Sequence, residues 1–184
     1  MSFGSTAFPF SRLLAALALA VLAVPARAAP EPSLCKADEA VIFSCPTEAR
    51  IISVCASGDF ASGRGAVQYR YGRTHSVELT YPEPGTPPAK AFTAGRLMFA
   101  GGGGAWLRFE KPPFRYTVFT AIGKWNPQGG PLGIAGVAVE KDGKALADIA
   151  CRTDPVSVLG SDFFQRAGVK LEGEFDIPDG FFPK

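Results

Sequence analysis

The sequence predicts a mainly β protein, a single antiparallel β-sandwich or barrel-like domain with one short C-terminal helix and two disulfides. Three observations predict it. Short runs rich in β-branched and aromatic residues recur nine times at sandwich spacing. Asp142-Gly143 stands between two apolar runs as a two-residue hairpin turn. Four cysteines, Cys35, Cys45, Cys55 and Cys151, give an even count suited to a disulfide framework.

The first 28 residues read as a removable leader. Arg12 precedes the apolar run from Leu13 to Val24, and Pro25 and Ala26-Arg27-Ala28 supply the helix stop and a small-residue cleavage site. That run is shorter than the roughly 20 residues a membrane-spanning helix needs, so no membrane span is expected once it is removed. Residues 29–184 then form one β-rich domain. At 47% hydrophobic and 20% charged, the chain has the composition of a globular protein rather than a disordered one.

The strands are read as 40–45, 50–55, 66–71, 76–81, 96–100, 105–110, 114–122, 134–141 and 144–151. Val67, Tyr69 and Tyr71 alternate with Gln68 and Arg70, and Val77, Leu79 and Tyr81 with Glu78 and Thr80. Those strands are expected to be wet on one side, with Arg70 exposed. Tyr81 to Pro88 is too rich in proline for a strand and reads as an irregular surface crossing.

The Asp142-Gly143 turn sets Val139 opposite Leu146 and Ile134 opposite Cys151, with Val137, Val139 and Leu146 on one face and Ile134 and Ile149 on the other. Cover on both sides of this hairpin is the expectation. Near the C-terminus, Ser161 to Ala167 is read as the helix, with Ser161 as N-cap, Asp162 in the first turn and Gly168 as the stop. Phe163 and Phe164 would pack it on a sheet.

Three cysteine connectivities are open. A turn at Pro46 to Ala49 with Cys45 opposite Arg50 puts Cys55 opposite Ala40 and on the other face, which disfavours Cys45–Cys55. The expected pairing is Cys35–Cys45 with Cys55–Cys151. No two cysteines have the C-x-x-C spacing and His75 is the single histidine, so neither a metal nor another cofactor is expected.

The charges exclude other roles. Lys and Arg number 19 against 17 Asp and Glu, and loss of Arg12 and Arg27 with the leader leaves the mature chain formally neutral. Nucleic acid is therefore not an expected partner. His75, in the turn Tyr71 to Ser76, is the one ordinary acid–base candidate, but no G-x-S-x-G elbow accompanies it, and Ser57 and Ser62 would reach it only through folding. Seventeen acids offer many pairs for glycoside chemistry, and spacing selects none among Asp59, Glu78, Glu110, Asp148 and Asp154. No catalytic residue is assigned.

Binding is the better reading. Gly101 to Gly104 feeds a strand rather than a helix and lacks the Lys-Ser/Thr of a phosphate loop, so it reads first as a plain glycine-rich strand connection, and in the alternative as a loop where a ligand or partner lies against bare backbone at Gly102 and Gly103. Gly123 to Pro131 carries Trp125 with Lys124, Asn126 and Gln128 as polar neighbours. Trp125 is read either as an exposed recognition residue or as an aromatic ring closing one end of the sandwich.

The pattern Cys35-x3-Glu39-x-Val41-x-Phe43-Ser44-Cys45, then Ser53-Val54-Cys55-Ala56-Ser57, Gln68-Tyr69-Arg70-Tyr71-Gly72, the glycine run into Arg108-Phe109, and Gly136-Val137-x-Val139 before Gly143-Lys144 resembles an uncharacterised family of small exported bacterial proteins. The resemblance implies a periplasmic or secreted protein with four paired cysteines and brings no activity with it. Periplasmic lysozyme inhibitors are similar in architecture alone. The leading expectation is a non-catalytic module binding a protein or glycan of the cell envelope, in its most specific form an inhibitor of a cell-wall-degrading enzyme. An envelope hydrolase using His75 or a carboxylate pair is the alternative, and a structural envelope protein the second. Oligomeric state is left open.

Overall fold

The computed structural model describes residues 1, 2, 4, 32–62 and 64–183, so all but three residues of the leader read at 1–28 lie outside the described residues. Two β-sheets face one another across a shared core. Strands β1 (Ala40–Pro46), β2 (Ile51–Ala56), β3 (Val67–Arg73) and β4 (Ser76–Tyr81) follow in sequence and build the first sheet. After the proline-rich crossing and a four-residue helix α1 (Pro88–Ala91), the second sheet follows as β5 (Thr93–Phe99), β6 (Gly102–Lys111), β7 (Phe114–Gly123), β8 (Leu132–Lys141) and β9 (Lys144–Ala150). The chain then returns to the first sheet as β10 (Val156–Ser157), forms helix α2 (Ser161–Ala167), and adds β11 (Lys170–Leu171) to the second. The strand orders are β10-β1-β2-β3-β4 and β11-β5-β6-β7-β8-β9.

All nine expected strands are present, and α2 has the expected bounds. Its N-cap is Gly160 rather than Ser161, and Gly168 ends it in the left-handed conformation. Phe163 and Phe164 are buried in the shared core as expected. The short elements α1, β10 and β11 were not expected. Two-residue strands carry no periodicity, and β11 pairs parallel to β5 through distant sequence.

The core is filled by the inward residues of both sheets: Ile52, Val54, Val67 and Tyr69 from the first, Leu107, Phe109, Val118 and Val137 from the second. Phe109 lies between the rings of Tyr81 and Tyr116, at centroid distances of 4.5 and 4.8 Å. Each such ring removes a large apolar area from water, which makes this stack a main source of cohesion between the sheets.

The Asp142-Gly143 turn forms as expected, with φ of 50° and 72°. The register beyond it differs. A bulge between Val139 and Glu140 sets Val139 opposite Ala147 and Val137 opposite Ile149, so Ile149 joins the core side while Leu146 is left 57% exposed. β8 is covered on both faces, but β9 is an exposed edge strand, against the expectation of cover throughout the hairpin. A bulge on β3–β4 likewise leaves Val77 exposed while Leu79 and Tyr81 face the core.

The disulfides join Cys35 to Cys55 and Cys45 to Cys151, which corrects the expected pairing. Cys45 lies opposite Ile52 rather than Arg50, and Cys55 opposite Val41 rather than Ala40. Cys45 faces the core, where it reaches Cys151 at the end of β9 and ties the two sheets together. Cys55 faces outward and meets Cys35 on the segment preceding β1, so the rejection of Cys45–Cys55 on opposite facing agrees with the structure.

That segment also overturns the expected wet face. Residues 32–39 lie over the outer side of the first sheet, where Arg70 is only 6% exposed. Arg70 donates to both carboxylate oxygens of Glu39, to the Leu34 carbonyl at 2.9 Å and to Gln68 Oε1 at 2.8 Å. Beside it Ser44 and Ser53 are buried, linked to each other at 2.9 Å, to the Pro32 carbonyl and to the Leu34 amide. On the opposite side of the molecule, the outer face of the second sheet is covered by residues 172–183. Phe175, Ile177 and Phe181 lie against Trp106, Phe119 and Leu97. The indole of Trp106 rests on Gly95, where a Cβ would come within 2.4 Å of the ring, so glycine is required at that cross-strand position.

Candidate functional site

The structure brings the two glycine-rich loops together at one end of the second sheet. Gly101 is a turn residue, and β6 starts at Gly102, three residues earlier than expected. A Cβ on Gly102 would come within 1.8 Å of the Ile122 carbonyl oxygen, so absence of a side chain there is what lets β6 and β7 close up at this end. The glycine run therefore has a packing reason of its own.

Trp125 is half-buried. Its ring packs on Phe99 at 4.9 Å and edge-on to Phe182 at 5.1 Å, so of its two readings the one that folds it back over the sheet end matches the geometry. Lys124 is exposed, and its aliphatic stem lies over Gly101. Asn126 builds its own turn: its Oδ1 accepts from the Gln128 amide at 3.0 Å and its carbonyl from the Gly129 amide at 2.8 Å.

On the inner face at this end, sequence reasoning missed the most exposed feature. Met98, Gly103 and Ile122 form one cross-strand row over β5, β6 and β7. Along that face, Leu107 and Val118 are in the core and Ala105 is still buried, whereas Met98 is 86% and Ile122 52% exposed. The second sheet here extends beyond the cover given by the first. Strand alternation alone marks both residues as inward, and only the extent of the opposing sheet reveals that they meet solvent.

The acid–base candidates are dispersed. His75 is exposed in the β3–β4 turn, while Ser57 and Ser62 lie in the loop before β3. A seven-residue strand, about 20 Å long, separates the two ends. Ser57 Oγ is already engaged, donating to Asp59 at 2.6 Å and accepting from the Ala66 amide at 2.8 Å. Glu78 bridges Arg50 and Arg73, and Glu110 pairs with Arg115. Asp148 lies against Gly180 beside a shallow cavity of about 680 Å³ lined by residues 47–49 and 148–152, and burial pushes its carboxyl above the ordinary range. Asp154 sits apart, near Gly133.

Among the described residues, Cys35, Glu39 and Cys55 come close enough together to suggest a metal site. The two sulfurs are bonded to each other and Glu39 is held by Arg70, which occupies the ligand atoms. No described helix is long and apolar enough to cross a membrane. Compared with protein-family models, with curated proteins and with solved structures, the chain finds no match, so a reading of its function rests on its own geometry.

Proposed function

We propose that the protein is an exported, non-catalytic binding module that holds a protein or glycan of the cell envelope against the free end of the second sheet. The observation that carries this reading is the exposed Met98–Gly103–Ile122 row, two large apolar side chains flanking bare backbone. Solvent-facing apolar groups gathered on a rigid strand surface are a usual mark of a contact site. Lys124 adds a charge at the rim, and Trp125 acts from behind, bracing the loop on Phe99 and Phe182. Two disulfides support an oxidising compartment, and the leader-like N-terminus supports the periplasm or the exterior as the place of action.

The test is capture of envelope proteins and glycans on the folded, oxidised protein and on the double variant Met98→Asp, Ile122→Asp. Both side chains are exposed, so the melting temperature is expected to stay close to that of the parent while capture of a saturable partner is lost. Equal capture by parent and variant overturns the assignment of this face. A lysozyme activity titration tests the inhibitor form, and an unchanged rate at stoichiometric protein eliminates it.

A further inference from the structure

At the other end of β6, a second site is built from different residues. A groove of about 670 Å³ opens where β6 ends and β5 and β11 begin, and Arg108 lines it. The Arg108 guanidinium is fixed on three sides. It stacks over the Trp106 ring at 4.4 Å and lies 5.9 Å from the Phe175 ring, its Nε donates to Thr117 Oγ1 at 3.0 Å, and its Nη2 donates to the Glu174 carbonyl at 3.2 Å. Among the described residues no carboxylate pairs with it, and Nη1 has no acceptor.

The surroundings are cationic. Lys90, Arg115 and Lys170 share the groove with Arg108, against the carboxylates of Glu110 and Glu172. Arg115 holds Glu110 and, from outside the groove, Glu140, while Lys170 holds Glu172. That leaves Arg108 and Lys90 as the groove's cations without a salt bridge among the described residues. Burial, and after it the nearby Arg115 charge, hold Arg108 below its ordinary range, with the carboxylates of Glu140 and Glu110 acting the other way. A guanidinium immobilised in advance, partly desolvated and in direct contact with no carboxylate among the described residues meets the requirements for oxyanion recognition.

We infer that this groove is an oxyanion-binding site in which Arg108 and Lys90, which both line it, take the carboxylate or phosphoryl group of a small ligand. The site shares no residue with the face proposed above and does not depend on it.

The experiment is an NMR and calorimetric titration of the folded, oxidised protein at low salt with benzoate and with inorganic phosphate, and with benzamide as the neutral counterpart of benzoate. Saturable shifts confined to residues 81, 89–93, 108–110, 115 and 170–173 are expected, with benzamide silent. Tighter binding of benzoate identifies a carboxylate ligand, and tighter binding of phosphate a phosphoryl one. Arg108→Gln is expected to weaken binding about tenfold, the scale of a lost charged hydrogen bond. Arg108 also packs on Trp106, so Lys90→Gln provides a variant that leaves the fold alone, with an expected loss of about threefold for one rim charge. Shifts elsewhere, no saturation, equal binding of benzamide, or unchanged affinity in both variants would overturn the inference.

Discussion

The segment before β1 and the segment after β11 cover opposite outer faces of the molecule by different chemistry. The N-terminal one lies on a polar surface and is held by the Glu39–Arg70 ion pair, the Ser44 and Ser53 hydroxyls and the Cys35–Cys55 bond. The C-terminal one lies on an apolar surface and is held by Phe175, Ile177 and Phe181 packed on Trp106 and Phe119, with the Trp106 indole seated on Gly95. Polar cover has to be matched atom by atom, since a buried charge deprived of its partner is heavily penalised. Apolar cover needs volume and shape, and does not depend on a protonation state or on ionic screening.

Four experiments break or sharpen this contrast. Ending the chain after Gly173 removes the aromatic cover and is expected to lose about 5 kcal/mol or more, from several buried side chains at roughly 2 kcal/mol each. Denaturant unfolding measures the loss, and binding of a hydrophobic dye reports the uncovered Trp106 face. Replacing Arg70 by Met strands Glu39 and is expected to cost about 4 kcal/mol, whereas Glu39→Met together with Arg70→Met should recover most of it. Additive losses in that cycle would show that the pair is not the link.

Removing the Cys35–Cys55 bond by Cys35→Ala with Cys55→Ala is expected to cost about 3 kcal/mol on loop entropy, against about 5 for Cys45 and Cys151, whose loop is far longer. Thermal melts of the two double variants rank them. The smallest effect is that of acid. The Arg70 guanidinium holds the Glu39 carboxyl below its ordinary value of 4.5, so its contribution is present above that value and is lost as pH falls beneath it. Asp148, against Gly180 on the C-terminal segment, is shifted upward by burial, so protonation on acidification relieves a penalty instead. Hydrogen-exchange protection, taken relative to the intrinsic amide rate at each pH, is expected to fall over residues 32–39 from pH 6 to pH 3 and to hold over 174–182.

Local chemistry made much of this fold legible. Alternation in Val67 to Tyr71 placed those side chains on the correct faces, Asp142-Gly143 gave the turn, and Gly168 ended the helix. What failed depended on distant chain. Arg70 read as exposed because nothing in its own strand announces that residues 32–39 lie over it. The cysteine pairing was missed for the same reason, since Cys55 finds its partner on that covering segment. The register of β9 was missed because one bulged residue moves every later side chain to the other face. Of the candidate site, the proximity of 101–104 and 123–131 was foreseeable only as two separate loops, and Met98 and Ile122 required knowledge of where the first sheet stops.

The Cys45–Cys151 bond also determines how the molecule would bear a load. With tension applied at the two chain ends and both disulfides intact, the covalent path runs from Cys35 to Cys45 by two routes of nearly equal length, directly through β1 and by way of Cys55 and β2, then across to Cys151 and out through the C-terminal segment. β3 through β9 lie outside that path. A pull would strip the aromatic segment and strain β1 and β2 while the core stack of Tyr81, Phe109 and Tyr116 carried none of the force through its own chain. Reducing agent would open the long loop to extension, turning a short, stiff tether into a compliant one.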